Sequence, residues 1–587
     1  MNSTAGWISH RRAFLTGYAF VVVALTLPII DWHTSMDFDN AIRVWVVTRP
    51  LDTIVHNVRE WELAPPLWHF LAHGLTRLSP LSPVVTVRLL NYGLFVSLIP
   101  LVYRIGQALD APRAGLIAAV LVPWNQTLFD HVTTANHYLL FAALGAAYTW
   151  LLLRVTVGDG SRRTWVGYAL VTAAYGFTHY FAIVHVAAAA LTVAVVDGHH
   201  RGVFRALARG DLRSTRTRLV ERLDGVSPAR FAAAHLPLGV LSVLWLPVLL
   251  RQYRYQPQVQ ESIFPLTQLA FETLRQLYYY FPDRLFPPAL LVLLMGGPLV
   301  AVLGRARYHR GIRLLLVMTA AAFGIGTFVF SSRDPEHLFF LSVLVPIVVG
   351  FGLSVLATHT VAAARRLRDE RDRPAASLCV VGVLLLGLVA APYAATAVDP
   401  NPPVRDTDLK GAQAFATEYV TEETAVLSVT QWGQLILHVY GAPFAARTYG
   451  VPYNITSRPN LIRPRTQAGV YTDASRIVYS PEQRPRDRRR LRRLVSGHDR
   501  VVVFVAHGFP DRVEPLVADL RRFGYRRATS MRTDENGVLV YDRDEPSGDA
   551  VDRDVRAASA SNATTPASSS ITLPRALAHP RQTPKFR

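Results

Sequence analysis

The sequence predicts a polytopic α-helical membrane domain of about eleven spans joined to a small α/β domain, on three observations. Apolar residues fall in long runs, arginines crowd alternate connections between them, and after residue 400 the pattern changes to short β-branched segments. Half of the 587 residues are hydrophobic and the formal charge is +20. Such a charge can mark a nucleic-acid binder, but apart from Lys410 and Lys585 the cations are arginines, mostly in short connections. The charge is therefore read as membrane topology, and no nucleic-acid partner is expected. Cys379, the sole cysteine, lies inside an apolar run, which excludes an internal disulfide framework or a thiolate metal cage.

The first run, Ala13 to Ile30, follows His10, Arg11 and Arg12 and lacks a small-residue cleavage pattern, so it reads as a retained helix rather than a signal peptide. The later runs are Val84 to Tyr103, Ala114 to Leu128, Tyr138 to Val155, Trp165 to Phe177, Tyr180 to Val196, Leu236 to Leu250, Ala289 to Leu303, Leu314 to Phe330, Leu338 to Leu356 and Leu378 to Ala395. With the N-terminus in the cytoplasm, the connections Arg104 to Arg113, Arg154 to Arg163, Asp197 to Arg230, Arg305 to Arg313 and Arg365 to Arg373 lie inside, and all carry arginine. The opposite connections, Asn125 to His137, Thr178 to His179 and Ser331 to His337, are nearly free of positive charge. This arrangement places the long segment 31–83 and everything beyond residue 400 outside the cytoplasm, in a multi-pass cell-membrane protein.

Three regions follow: residues 1–400 as the membrane domain, 401–545 as an extracytoplasmic α/β domain, and 546–587 as a disordered tail rich in Ser, Thr, Ala and Pro. In the second region Ala425 to Val429, Arg476 to Tyr479 and Arg500 to Val505 read as strands, Asp511 to Phe523 as a helix, and Gly537 to Tyr541 as a closing strand. The basic stretch Arg484 to Arg493 reads as a solvated helix face rather than the alternative, a polyanion site. Sequons at Asn125, Asn454 and Asn562 fall in predicted outer regions and permit glycosylation.

Segment 31–83 holds Asp37, Asp39, Asn40, Arg43, Arg49, His56, Arg59, Glu60, Glu62, His69 and His73, more ionisable groups than a connecting loop needs. Asp39 to Val47 and Leu51 to Glu60 read as short surface helices, and Pro65 and Pro66 start a third, Leu67 to Leu78. His69 and His73 at i, i+4 suit a metal pair but lack a third ligand of clear spacing. No cofactor is assigned, and a divalent cation is left open. Asp37 and Asp39 suit helix capping as well as catalysis. For His179 and Tyr180 the alternatives are an interhelical junction and substrate contact. Gln256 to Asp283, with Tyr278, Tyr279 and Tyr280, reads as an outer lid or an aromatic belt.

The order of Met36-Asp37-Phe38-Asp39-Asn40-Ala41, Ala64-Pro65-Pro66-Leu67-Trp68-His69 and Thr178-His179-Tyr180-Phe181 after a first helix resembles the membrane glycosyltransferases of the GT-C superfamily. The nearest branch is family 39, the dolichyl-phosphate-mannose protein mannosyltransferase-like proteins. The resemblance covers roughly residues 10 to 400. It implies inverting transfer of a sugar from a polyprenyl- or dolichyl-phosphate donor to a lipid, glycan or protein acceptor at the outer membrane face. Its Asp-Glu motif falls on Asp39 and Asn40, giving Asp39 the base role, with Asp37 as a helper for the missing second carboxylate. Where relatives carry Glu and Arg before a tyrosine, this chain has Thr133-Thr134-Ala135-Asn136-His137-Tyr138, keeping only Tyr138.

An acceptor hydroxyl needs a carboxylate to take its proton as the glycosidic bond breaks, and the departing phosphate needs cations. Arg43, Arg59, Arg254 and Arg333 fall in outer segments and suit that task. Asn40, His69, His179, Tyr180 and Tyr138 complete the candidate substrate contacts. One rival reading is a noncatalytic platform that kept the scaffold in cell-surface glycan assembly. A weaker one is a transporter, which would place polar groups at mid-membrane in broken helices.

Overall fold

The computed structural model of the chain describes most of residues 2–200, 228–255, 310–326, 338–370, 409–429 and 484–544, with short pieces at 437, 442 and 449–450. The expected runs Ala289 to Leu303 and Leu378 to Ala395, the strand Arg476 to Tyr479 and the tail lie outside the described residues.

Helix α1 (Asn2–Thr26) is followed by three short helices in the first long connection, α2 (Phe38–Val47), α3 (Leu51–Glu60) and α4 (Leu67–Leu78). Each stands within a residue of its expected place. Apolar residues recur along α2 (Ala41, Val44, Trp45, Val47) and α3 (Ile54, Val58), and all of them are buried. Pro65 and Pro66 end the preceding chain and open α4.

The long apolar helices follow: α5 (Pro83–Ala108), α6 (Pro112–Leu121), the short α7 (Gln126–Asp130), α8 (Tyr138–Thr156), α9 (Arg162–Gly176), α10 (Ala182–His200), α11 (Pro228–Tyr255), α12 (Arg310–Gly324) and α13 (Leu341–Glu370). Among the described residues, α5, α8 and the stretch Ala229–Gln252 of α11 are long and apolar enough to cross a membrane. Shorter apolar helices are Ala13–Thr26, Pro112–Leu121, Ala182–Ala194, Gly311–Gly324 and Leu341–Val355. The expected single run from Ala114 to Leu128 is broken: Pro123 sits in a 3-10 turn, Val122–Trp124, and the chain restarts as α7. Helix α8 is central, with 78% of its apolar window buried, whereas α11 buries 17% and shows Leu236, Val243 and Leu244 on its exposed side. That apolar exposure suits contact with hydrocarbon, where no polar partner is available.

Small residues set the tightest crossings. A Cβ on Gly106 would stand 2.2 Å from the Cα of Gly115, so the α5–α6 pair closes only with glycine at that position. Helix α13 crosses α6 in the same way at Gly350.

The C-terminal part is a five-stranded sheet of order β2-β1-β3-β5-β4, from β1 (Thr424–Ser428), β2 (Tyr449–Gly450), β3 (Arg500–Val505), β4 (Tyr525–Arg532) and β5 (Gly537–Arg543). Strands β2, β1 and β3 are parallel, while β5 runs antiparallel to both β3 and β4. Strand β5 is thus an inner strand rather than a closing edge, because β4, rich in arginine and unmarked by hydrophobic alternation, takes the edge. Three helices flank the sheet: α14 (Leu409–Tyr419), α15 (Arg484–Val495) and α16 (Glu514–Arg522). Gly524, at φ 86°, turns α16 into β4 where an L side chain would be strained.

Alternation along the strands sorts the core into two layers. Val426, Val502, Phe504, Val538 and Val540 pack with Leu409, Ala412 and Ala416 of α14 in one hydrophobic cluster. That cluster also contains Val44, Trp68 and Ala72 of the first long connection. Ala425, Leu427, Val501, Val503 and Leu539 face the other way, onto Leu491 and Val495 of α15 and Leu516 and Leu520 of α16.

Candidate functional site

The first long connection closes around one charge pair. Arg43, on α2, donates through Nε and Nη2 to Glu62 Oε1 at 3.3 and 3.2 Å, with Nε also 3.4 Å from Oε2. Glu62 follows α3, and its backbone N–H donates to Asn57 O at 3.2 Å. The two prolines then swing the chain so that the first turn of α4 brings His69 Nε2 to 3.6 Å from Glu62 Oε2. Burial opposes the charge on Glu62, but the Arg43 guanidinium and the His69 ring outweigh it and hold the carboxyl well below the usual carboxylate range. Glu62 is consequently a weak proton acceptor. Its chemistry is to fix Arg43.

A second wall comes from the segment before α8. Buried Arg88 of α5 donates to Thr133 O at 2.8 Å and to Trp32 O at 2.6 Å, and Asn91 donates to Thr134 O at 2.6 Å. Asn40 Oδ1 accepts from the backbone N–H of Ala135 at 2.9 Å. Held at these points, the segment presents His137, which is 3% exposed and has neither ring nitrogen hydrogen-bonded among the described residues. The His137 and His179 rings lie 4.9 Å apart. Burial, then the neighbouring His179 and Arg43, push His137 well below its ordinary value, so the ring is neutral at physiological pH. A neutral imidazole offers one donor and one acceptor.

The third wall is the turn before α10. His179 Nδ1 accepts from Phe181 N at 3.1 Å. Tyr180 donates to Gln252 Oε1 at 2.6 Å and accepts from Trp245 Nε1 at 2.9 Å, both on α11. Gln252 Nε2 donates to Val58 O at 2.8 Å and Glu62 O at 2.6 Å. Burial pushes Tyr180 up to about 12, so it acts as a hydrogen-bonding hydroxyl rather than an acid.

The expected residues divide accordingly. Arg43 and His69 meet at Glu62, Tyr180 joins them through Gln252, Asn40 holds Ala135, and Tyr138 lies against the His137 and His179 rings. Asp39 lies on the first turn of α2, one turn before Arg43, a spacing that puts the two positions on one helix face. Arg254 lies on α11, and Asp37 and Arg333 fall outside the described residues. Arg59 is exposed on α3, whose buried side is taken by Ile54, Asn57 and Val58. His69 and His73, which share a helix face in sequence, take different partners: His73 Nδ1 bonds Val47 O at 2.8 Å while His69 turns to Glu62. Among the described residues no group of three His, Cys, Asp or Glu side chains is placed to hold a metal. The sequon asparagine Asn125 is buried, capping α7 through Leu128 N, and is closed to glycosylation.

The sequence reading did not single out Glu62, Arg88, His137, Trp245 or Gln252. Glu62 was visible as an acid just before the Pro-Pro step, but nothing local pairs it with Arg43. Gln252 carries no signal, being an amide at the end of an apolar run.

No protein-family model matches the chain, and no curated protein matches it. Its similarities are to solved structures. ArnT from Cupriavidus metallidurans in the apo state superposes with a TM-score of 0.50 at 13% identity, over 92% of this chain and 98% of that one. The Archaeoglobus fulgidus oligosaccharyltransferase in the apo form gives 0.47 at 12%, over 84% and 69%. The mycobacterial arabinofuranosyltransferase AftD gives 0.48 at 16%, over 90% and 40%. These neighbours are GT-C-fold membrane glycosyltransferases, and the fold this chain shares is that of ArnT.

Proposed function

We propose that the chain is a membrane glycosyltransferase that moves one sugar, with inversion, from a polyprenyl- or dolichyl-phosphate carrier to an acceptor outside the cytoplasm, with a specificity like that of family 39. The observation that carries this reading is Asp39 one helical turn ahead of Arg43, whose guanidinium Glu62 holds inside the first long connection. Arg43 meets the carrier phosphate as negative charge develops on it. Asp39 takes the acceptor proton, a role that the tightly paired Glu62 is poorly suited to fill. Neutral His137 hydrogen-bonds a donor or acceptor oxygen. Asp37, Arg254 and Arg333 are further candidates for contacts to the carrier, and no cofactor is assigned.

The test incubates the purified chain with a panel of radiolabelled polyprenyl-phosphate sugars and an acceptor membrane extract. Asp39→Asn is expected to lower transfer by about 10²–10⁴-fold, the usual weight of a positioned general base. Transfer that survives the substitution removes Asp39 as base. A second reading, a noncatalytic platform, is favoured by Asn40, which stands at the motif's second acidic position and supports the backbone at Ala135. Absence of transfer by wild type across the whole panel selects it.

A further inference from the structure

The two-layer core fixes which side of the C-terminal domain looks outward. The layer containing α14 shares its hydrophobic cluster with α2 and α4 of the membrane domain. The layer containing α15 and α16 covers the opposite face of the sheet. The exposed side of α15 and α16 therefore faces away from the membrane domain.

That side is dense in arginine. Arg489, Arg492 and Arg493 are exposed on α15, Arg521 on α16 and Arg527 on β4. Arg527 stands opposite Tyr541 in the β4–β5 ladder, and Tyr541 belongs to the cluster that α15 and α16 cover, so β4 adds its arginine on the same side. The local acid is already committed: buried Asp519 takes Arg488 at 2.9 Å and Arg522 at 3.6 Å. None of the other five arginines has a carboxylate partner among the described residues, and among the described side chains of α15 and α16 Glu514 is the exposed acid. Arginine also offers a planar fork suited to carboxylate and phosphate groups. A face that only needed solvating has no use for one sign of charge gathered from three elements.

We infer that the outward face of α15, α16 and β4 binds an anionic polysaccharide, a glycan bearing carboxylates or phosphates. The glycan identity rests on the transferase reading above, for which such a polymer is an acceptor or the surface on which the acceptor grows. The direction of the face argues against lipid headgroups, which lie on the membrane domain's side.

The experiment uses the full chain in phosphatidylcholine nanodiscs and measures binding of fluorescent polygalacturonate, polyphosphate and dextran by anisotropy. Both polyanions are expected to bind and dextran is not. Affinity should fall about tenfold or more between roughly 50 and 200 mM salt, as a polyanion's condensed counterions demand. The combined variant Arg489→Gln, Arg492→Gln, Arg493→Gln should weaken binding at least about tenfold, and so should Arg521→Gln with Arg527→Gln on the neighbouring elements. A control that removes equal charge elsewhere, Arg104→Gln, Arg113→Gln and Arg163→Gln, should leave binding unchanged. Equal weakening by the control, absence of polyanion binding by wild type, or binding to phosphatidylglycerol vesicles in preference to both polymers overturns the inference. Polymer binding by a wild-type chain that transfers no sugar from any donor of the panel counts against the transferase reading alone.

Discussion

Glu62 and Arg43 are 19 residues apart in sequence, and their pairing is the main electrostatic commitment of the first long connection. Neither partner tolerates loss of the other: the side chains keep 18% and 17% of their exposure, and a charge left alone in so enclosed a place costs about 1–3 kcal/mol. Glu62→Gln should therefore lower stability in detergent by about that amount at pH 7. The same substitution gives the pH dependence its sign. Because folding depresses the Glu62 pKa, its contribution is complete above the ordinary carboxylate value and is lost as pH falls toward the lower folded one. Thermal unfolding from pH 7 down to pH 3 should show the gap between wild type and Glu62→Gln constant at first and narrowing below about pH 4.5. A constant gap throughout would mean that the carboxylate is not stabilised by folding. His137, also depressed, adds a loss of wild-type stability that starts higher, as the unfolded histidine begins to protonate.

At the scale of elements, much was legible in the sequence. The helices α2, α3 and α4 followed from apolar spacing and from the Pro-Pro step, and β1, β3 and β5 from β-branched runs. Strand β4 was not legible, because its Arg-rich edge face hides the alternation. The site was half visible: local motifs exposed Asn40, Arg43, His69, His179 and Tyr180, while Glu62, His137 and Gln252 acquire meaning only through contacts made across the chain. Helix crossings were not legible at all, for glycine spacing does not say which neighbour approaches. A Cβ at Gly350 would lie 2.7 Å from Ala114 O and 2.9 Å from Ala118 N, backbone atoms that cannot swing aside. Gly350→Leu should lower the thermal midpoint, with overpacking costing about 1–3 kcal/mol. Gly74, in α4 with nothing within 4 Å of where a Cβ would stand, should accept alanine with a gain of roughly 0.5–1 kcal/mol. Equal responses at the two positions would count against the α6–α13 crossing.

For the whole molecule, the reading that the arginine-bearing connections are cytoplasmic and the sheet domain is outside makes a direct prediction. In a Cys379→Ser background, a membrane-impermeant maleimide applied to intact cells should label Arg493→Cys at once. Arg163→Cys should be labelled only after the cells are opened. The reverse pattern would invert the orientation and move the candidate chemistry to the cytoplasmic face.

Gln252 carries a consequence for biogenesis. Its side-chain amide joins Val58 and Glu62, 194 and 190 residues earlier, to Tyr180, 72 residues earlier. Contacts of such separation form late, since the intervening chain must be confined before they can reward it. During synthesis, every nascent chain that has not yet delivered α11 carries Arg43, Glu62 and the 178–180 turn without the amide that gathers them. On the proposed transferase function, sugar transfer is expected only from chains long enough to have delivered α11.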